Sequence, residues 1–524
     1  MKKFNVMGNC IPEENYMVDI SDKIKKIKEL IDNKYYFTIN RGRQYGKTTT
    51  LAILERAIKN EYIVALISFQ GIDYEIFEST EEFCLTIMEL IQEALNSVGV
   101  EETYTEQWVD EKNKSFKLLS RHITKMCKDK KVVLLIDEVD NASDNRVFVK
   151  FLTMLREKYI ARRNGKDYTF HSVILAGVYD IKNMKLKMIK EGSYIPTADE
   201  SNTYNSPWNI AADFDVDMAF NPEEISSMLK DYETEHNTGM DISAVANEIY
   251  NYTSGYPFMV SRICKHIDEK LMRDWTVSGV HKAVKILLSE TNMLFDDVFK
   301  NLENDKELYN YIYDLLIIGD FKPYVIYNNI VNIGVRYGFF KKMSNGSDRV
   351  AISNKIFELF MTDYYIAKDL NDKKQITGVL HSDVINDGRF NMELCLRRFA
   401  KHYAELFNKS DIEFLERHGR LLFISYLKPL INGQGFYHIE SQFTDLRRMD
   451  IVVDFGREQF IIELKRWKGE ESERKAYNQL IGYMDSKNAM TGYLLTFDFR
   501  METNKERRAE WVEVDGKKIF DVIV

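Results

Sequence analysis

The chain has 524 residues, of which 45% are hydrophobic and 29% charged, and it carries a formal net charge of -9 at pH 7. That length is too great for one hydrophobic core and calls for roughly three or four folding units. The acidic balance argues against a uniformly basic nucleic-acid coat while permitting a local basic groove. No apolar run approaches the length of a bilayer span and the opening MKKFNVMGNC has no signal-peptide core, so a cytoplasmic protein without membrane contact is expected. The cysteines Cys10, Cys84, Cys127, Cys264 and Cys395 lie far apart and never form a CxxC pair, which points to packing rather than to a disulfide framework or zinc site.

Residues 1–220 alternate strand-like and helical segments, the pattern of an α/β unit with a mainly parallel sheet. KYYFTIN, YIVALISF, KVVLLIDEV and HSVILAGV are apolar runs of strand length with amphipathic stretches between them. At Asn221-Pro222 the strands stop, and 221–298 reads as an α-helical lid. In 299–370 short helices lead into GFFKKMSNGSDRVAISN, where Asn345-Gly346 between two β-prone runs predicts a hairpin and hence a winged helix. The polar segment at 371–390 reads as a linker. The last region, 391–524, combines helices near 390–430 with strands at FYHIESQF, RRMDIVVDF, EQFIIELKR and TGYLLTFDF.

In FTINRGRQYGKTTTLAIL a strand runs into a Gly-containing loop and then into a helix beginning near Lys47. That order aims backbone N–H groups and the positive helix end at a triphosphate. Gly46 lets the backbone approach, Lys47 reaches the β- and γ-phosphates, and Thr48 offers its hydroxyl to Mg²⁺, with Thr49 beside it. The strict pattern has Gly where this chain has Arg41, with Gly42 next to it. Further on, KVVLLIDEVD ends a buried strand in two carboxylates: Asp137 to hold Mg²⁺ through water, and Glu138 to polarise the attacking water. Asp140 in the same loop reads as a capping or surface residue. After HSVILAGVYD the run Ala176-Gly177-Val178 supplies no polar phosphate sensor, leaving Tyr179 or Asp180 for that place. Arg41 and Arg43 flank the loop and can face phosphate, a neighbouring subunit or solvent. In TSGYPFMVSRIC, Gly255 and Pro257 are placed against the adenine. Arg262 either approaches the γ-phosphate or forms a salt bridge on its helix.

RGRQYGKTT, LLIDEVD, the TSGYP turn and VAISNKIF together resemble the AAA-ATPase-like family, close to the STAND and archaeal-type P-loop ATPases, over residues 10–370. The resemblance implies a P-loop core with helical lid and winged helix, ATP and Mg²⁺ as cofactors, and slow, switch-like hydrolysis.

Near the C-terminus Asp450 stands just before IVVDF, and Glu463 and Lys465 share one face of the strand IIELKRW. Two carboxylates with a nearby lysine can hold a divalent cation and activate water at a phosphodiester. The helix FLERHGRLLFISYL carries Glu416, and ERKAYNQLIGYMD puts Gln479 and Tyr483 four apart on one face. This succession resembles the PD-(D/E)XK nuclease superfamily, a restriction-endonuclease-like α/β fold. In that comparison Asp450, Glu463 and Lys465 match the core motif, Gln479 the helix glutamine, and Glu416 the upstream acid. The chain departs from the pattern in having Arg447-Arg448 where a Gly-Arg pair is usual and no Pro before Asp450. Arg397, Arg398, Lys401, Arg417, Arg420, Arg466, Lys468, Arg474 and Lys475 add positive charge nearby, read as phosphate contacts or as solvated helix faces. The reading is an ATP-controlled, Mg-dependent nuclease acting on nucleic acid, DNA favoured over RNA, suited to defence or mobile-element biology. The alternative is a nucleotide switch or DNA-binding regulator whose nuclease-like domain is inactive. Oligomerisation is left open.

Overall fold

The computed structural model describes residues 2–100, 114–142, 145–178, 208–318, 322–343, 348–372, 384–386, 389–407, 412–431, 435–440, 450–456, 458–467, 469–498 and 508–524. Four apolar runs form β1 (Tyr36–Asn40), β2 (Ile63–Ser68), β3 (Val132–Asp137) and β4 (Ser172–Gly177), all paired in parallel in the order β1-β4-β3-β2. Ala212 bridges in parallel to Phe37, extending the sheet beyond β1. Every residue of β3 and β4 is buried, which is why VVLLID and SVILAG read as continuous apolar runs rather than alternating ones.

Strand periodicity sends neighbouring side chains to opposite faces of this sheet. Leu134, Ile136, Val173 and Leu175 enter one core with Phe69, Phe77, Phe83, Phe148 and Phe151. Val133, Leu135, Ile174 and Ala176 enter the other with Ile27, Ile31, Leu51 and Leu54. The site-bearing carboxyl ends of the strands are thus held by packing on both sides.

Helices Pro222–His236, Ile242–Thr253, Pro257–Lys270 and Val277–Ser289 follow. The first starts where expected because Asn221 and Glu224 form a reciprocal capping box with Pro222 in the first turn. Helices Met293–Asn304, Lys306–Tyr313 and Asn329–Arg336 precede the paired strands β5 (Phe340–Lys342) and β6 (Val350–Ile352). The Asn345-Gly346 turn lies outside the described residues. Helix Lys355–Asp372 runs into the expected linker, because the apolar spacing of Ile356, Phe357, Leu359, Tyr365 and Ile366 keeps one face buried. The short pair β7 (Ile385–Asn386) and β8 (Arg389–Phe390) occupies its far end.

Helices Met392–Phe407 and Ile412–Ile431 lead into β9 (Gly435–Glu440), β10 (Asp450–Phe455), β11 (Glu458–Arg466), β12 (Thr491–Phe497), β13 (Arg508–Val514) and β14 (Lys517–Ile523). They form one mixed sheet in the order β13-β14-β12-β11-β10-β9. Sequence analysis places no strands after TGYLLTFDF, yet the chain ends in a hairpin. Its signal is Asp515-Gly516, both at positive φ (50° and 75°), between alternating runs.

By internal contacts the chain divides into two compact units: 1–296 with 332–340 and 353–356, and 297–331 with 341–352 and 357–524. Both contain parts of the 299–370 stretch. Among the described residues no helix is long and apolar enough to cross a membrane.

Candidate functional site

In the first unit, β1 delivers the chain into the loop 41–46, and the helix Lys47–Ile58 begins directly after Gly46. Gly46 sits in the left-handed region at φ 73°, a conformation that brings the loop backbone round to the helix N-terminus and that side chains resist. Lys47 is buried, and its Nζ donates to the carbonyls of Arg41 and Gly42, both at 3.0 Å. Burial lowers the pKa of Lys47, against the pull of Asp140, Glu138 and Asp137 in that order.

Thr48 Oγ1 donates to Asp137 Oδ2 at 2.6 Å, so the loop–helix motif and the β3 carboxylate meet. The other Asp137 oxygen accepts the Glu138 backbone N–H at 2.9 Å, and Glu138 itself lies at φ 53°. Burial first, and then the neighbouring Asp137, raise the Glu138 carboxyl above its ordinary value. Thr49 Oγ1 accepts from the Cys10 backbone N–H at 3.3 Å, tying the N-terminal segment to the same helix.

Beside the loop lies a cleft of about 230 Å³ whose walls include Tyr45, Thr49, Met218, Phe220 and Pro257, and Val6 from the N-terminal segment. Its lining is largely apolar and it opens next to Gly46, the setting a nucleobase needs once its phosphates sit on the helix N-terminus. Pro257 lines this cleft. Gly255 instead packs on the backbone: a Cβ there meets the Phe220 carbonyl oxygen at 1.8 Å. Its neighbour Tyr256 donates its hydroxyl to the Arg43 carbonyl and stacks edge-on against Tyr45, with ring centroids 4.5 Å apart.

The N-terminal wall and Tyr256 were missed from sequence. The wall is held by long-range contacts, Phe4 and Tyr16 against Tyr232 and Tyr16 Oη donating to Glu235 at 2.7 Å, which no local pattern announces. Arg262 is committed to Glu290 by two bonds of 2.6 and 2.8 Å. Glu290 is brought alongside by the end of the next helix. Asp140 accepts the Val178 backbone N–H, as a capping residue does. Tyr179 and Asp180 lie outside the described residues.

Residues 16–308 match the AAA-like domain family. The chain belongs to that family. No curated protein matches the chain in sequence. Among solved structures, a Walker-type ATPase of Pyrococcus abyssi is 13% identical, covering 68% of this chain and 99% of that one, with a TM-score of 0.46. Cdc6p of Pyrobaculum aerophilum is 14% identical over 66% and 94% of the two chains, with a TM-score of 0.31. The RuvB branch migration motor of Thermotoga maritima is 13% identical over 65% and 94%, with a TM-score of 0.33. The AAA-like match accounts for the P-loop, the β3 carboxylates and most of the helical segments after them, and it ends before β5.

In the second unit, β10 and β11 are antiparallel with Ile451 opposite Ile462, so one step further Asp450 comes opposite Glu463. On its other side Asp450 pairs with Glu440 of β9. Register alone therefore aligns Glu440, Asp450 and Glu463 in one row across three strands. Glu463 is buried, with only 1% of its surface exposed, and its carboxylate pairs with Lys465. On the helix Glu470–Ser486, Gln479 Oε1 and Tyr483 Oη are buried without a hydrogen-bond partner among the described residues. The side chains of Glu416, Glu440, Asp450, Arg417 and Arg420 and the whole of Arg447, Arg448 and Lys468 lie outside the described residues. Among those described, no three His, Cys, Asp or Glu side chains gather to hold a metal ion. Arg397 pairs with Glu393 and donates to the Ala509 carbonyl, and Lys475 pairs with Glu471.

Proposed function

We propose that this AAA-like protein binds Mg·ATP at the loop 41–49 and hydrolyses it with Glu138 as the base. The observation that carries the reading is the 2.6 Å bond between Thr48 and Asp137, two residues with the chemistry to share an Mg²⁺ brought together from opposite motifs. Gly46, Lys47 and Thr48 receive the triphosphate, Arg43 and Thr49 flank it, and the apolar cleft takes the base. Thr48 and Asp137 would hold Mg²⁺, whose chemistry there would be neutralisation of phosphate charge. Glu138 holds and accepts the water proton, and its raised pKa brings it nearer a working base.

We further propose that the C-terminal sheet is a PD-(D/E)XK-type nuclease site under nucleotide control, acting on nucleic acid, with DNA as the first substrate to test. Asp450 and Glu463 would hold a divalent cation, whose chemistry is polarisation of the scissile phosphate. Lys465 neutralises developing charge or steers water, and Gln479 with its unengaged Oε1 positions the water. What supports this is the register that, carried one step past Ile451 and Ile462, puts Asp450 opposite Glu463, together with buried polar atoms on the covering helix that lack partners among the described residues.

The test has two arms. Lys47→Ala should remove ATP binding by calorimetry while leaving the circular dichroism spectrum intact; unchanged affinity sinks the P-loop assignment. Plasmid, linear and single-stranded DNA and RNA are then incubated with Mg²⁺ or Mn²⁺, with and without ATP. Asp450→Ala, Glu463→Ala and Lys465→Ala should each abolish cutting and leave ATP affinity unchanged. If no nucleic acid is cut by the parent under any condition, the C-terminal domain is an inactive relative of the fold and the nucleotide-switch reading takes its place.

A further inference from the structure

The carboxyl edge of the ATPase sheet is crossed by a belt of hydrogen bonds. The Arg41 N–H, at the entrance to the phosphate loop, donates to the Gly177 carbonyl of β4 at 3.1 Å. The next amide, Val178 N–H, lies just past the end of β4, and both oxygens of Asp140 accept it, at 2.9 and 2.7 Å. On the far side, Asn141 Nδ2 donates to the Phe69 carbonyl at 3.0 Å, and Phe69 N–H returns to the Asp137 carbonyl at 3.0 Å. The belt runs from the phosphate loop through β4 and the turn after β3 to β2. Glu138 sits within it.

That position is under strain. Glu138 takes a left-handed backbone, at φ 53°, which disfavours a residue with a side chain by about 1–2 kcal/mol. Neighbours must therefore hold it: its N–H on Asp137 Oδ1, its carbonyl accepting from Asn141 N–H at 3.2 Å, and the anchored turn Val139–Ala142 beyond. Gly177 makes the anchor possible. A Cβ at that position falls 2.7 Å from Val139 Cγ2 and 2.8 Å from Asp140 Oδ1, so only a bare backbone admits the carboxylate. The same carboxylate is the largest of three attractions that oppose the effect of burial on Lys47.

We propose that Asp140 is a positioning residue for ATP hydrolysis: by clamping the Val178 amide it fixes the turn that presents Glu138 between the phosphate loop and β2. This role rests on the hydrolysis proposed above. A negatively charged acceptor makes a stronger bond than a neutral one, so the clamp depends on the carboxylate and not merely on a side chain of that size.

The experiment measures kcat, KM, ATP affinity, melting temperature and amide exchange at Val178 for the full chain and for Asp140→Asn, Gly177→Ala and the double variant. Displacing a catalytic group by about 1 Å is enough to lose on the order of 100-fold in rate. Asp140→Asn and Gly177→Ala should each lower kcat by about 10- to 100-fold with KM and ATP affinity changed less than about threefold. Val178 exchange should accelerate in both. Because both break one link, the double variant should lose no more than the worse single one. A clamp that only stabilised the fold would lower the melting temperature but leave kcat per nucleotide-binding site intact, and that result overturns the proposal. So does additive loss in the double variant. A parent with measurable turnover whose Asp140→Asn form keeps its kcat refutes the role of Asp140 alone. A parent with no turnover refutes the hydrolysis reading, and the role falls with it.

Discussion

Replacing Gly255 by Ala should loosen the nucleotide unit and weaken ATP binding together. At φ 75° this residue occupies a backbone region that costs an L side chain about 1–2 kcal/mol. The added Cβ would lie 1.8 Å from the Phe220 carbonyl oxygen and 2.7 Å from its amide nitrogen, so backbone has to move and not just a flexible side chain. Movement breaks the 2.8 Å bond from Phe220 N–H to the Gly255 carbonyl. That bond is worth about 0.5–1.5 kcal/mol net, and overpacking adds about 1–3 kcal/mol, for a total loss of about 3–6 kcal/mol. Urea unfolding followed by circular dichroism measures it, the relevant transition being the one that Mg·ATP moves to higher urea. With a slope near 3 kcal/mol per molar, the midpoint should fall by about 1–2 M. Because Tyr256, the next residue, is what ties this turn to the Arg43 carbonyl, ATP affinity of the folded variant should fall as well. A midpoint shift under about 0.3 M, which corresponds to about 1 kcal/mol at that slope, would refute the steric argument.

Glu138→Gln should keep ATP bound and lower turnover by about 10²- to 10⁴-fold, the usual contribution of a general base; turnover at the parental rate in a mock-controlled preparation moves the role elsewhere. The same residue sets a pH dependence. Only the carboxylate can accept the water proton, and burial followed by Asp137 raises its pKa, so the acidic limb of kcat/KM should lie above the ordinary glutamate value of 4.5, with activity lost as pH falls through it. A limb at or below that value contradicts the assignment. Arg262→Ala should lower the stability of the helices around it, since Glu290 loses its bidentate partner, but leave ATP affinity within about threefold of the parent. A tenfold or greater loss of affinity would instead place Arg262 on the nucleotide.

Much of this protein is legible in its sequence, for reasons that are local. β3 and β4 announce themselves because strands buried on both faces must be continuously apolar, and the helix at Lys47 follows from a glycine that only a turn into a helix requires. The start of the helix Pro222–His236 is written in Asn221, Pro222 and Glu224, which satisfy its N-terminus among themselves. The E-x-K of β11 is legible too, since residues two apart on a strand share a face.

What the tertiary structure alone decided are pairings between segments distant in the chain. The meeting of Thr48 with Asp137 depends on β4 lying between β1 and β3, a strand order no local pattern encodes. The pairing of Arg262 with Glu290 likewise depends on the end of the next helix being packed beside it. Asp140 looks like any loop acid until β4 brings the Val178 amide to it. The closing hairpin β13–β14 went unread although Asp515-Gly516 marks its turn, because half-exposed edge residues such as Trp511 blur the apolar pattern. Local sequence fixes what each segment can bury and how it can turn. Which groups then face one another is set by the order in which the strands dock, because a side chain's partner is whatever the packed layers carry alongside it.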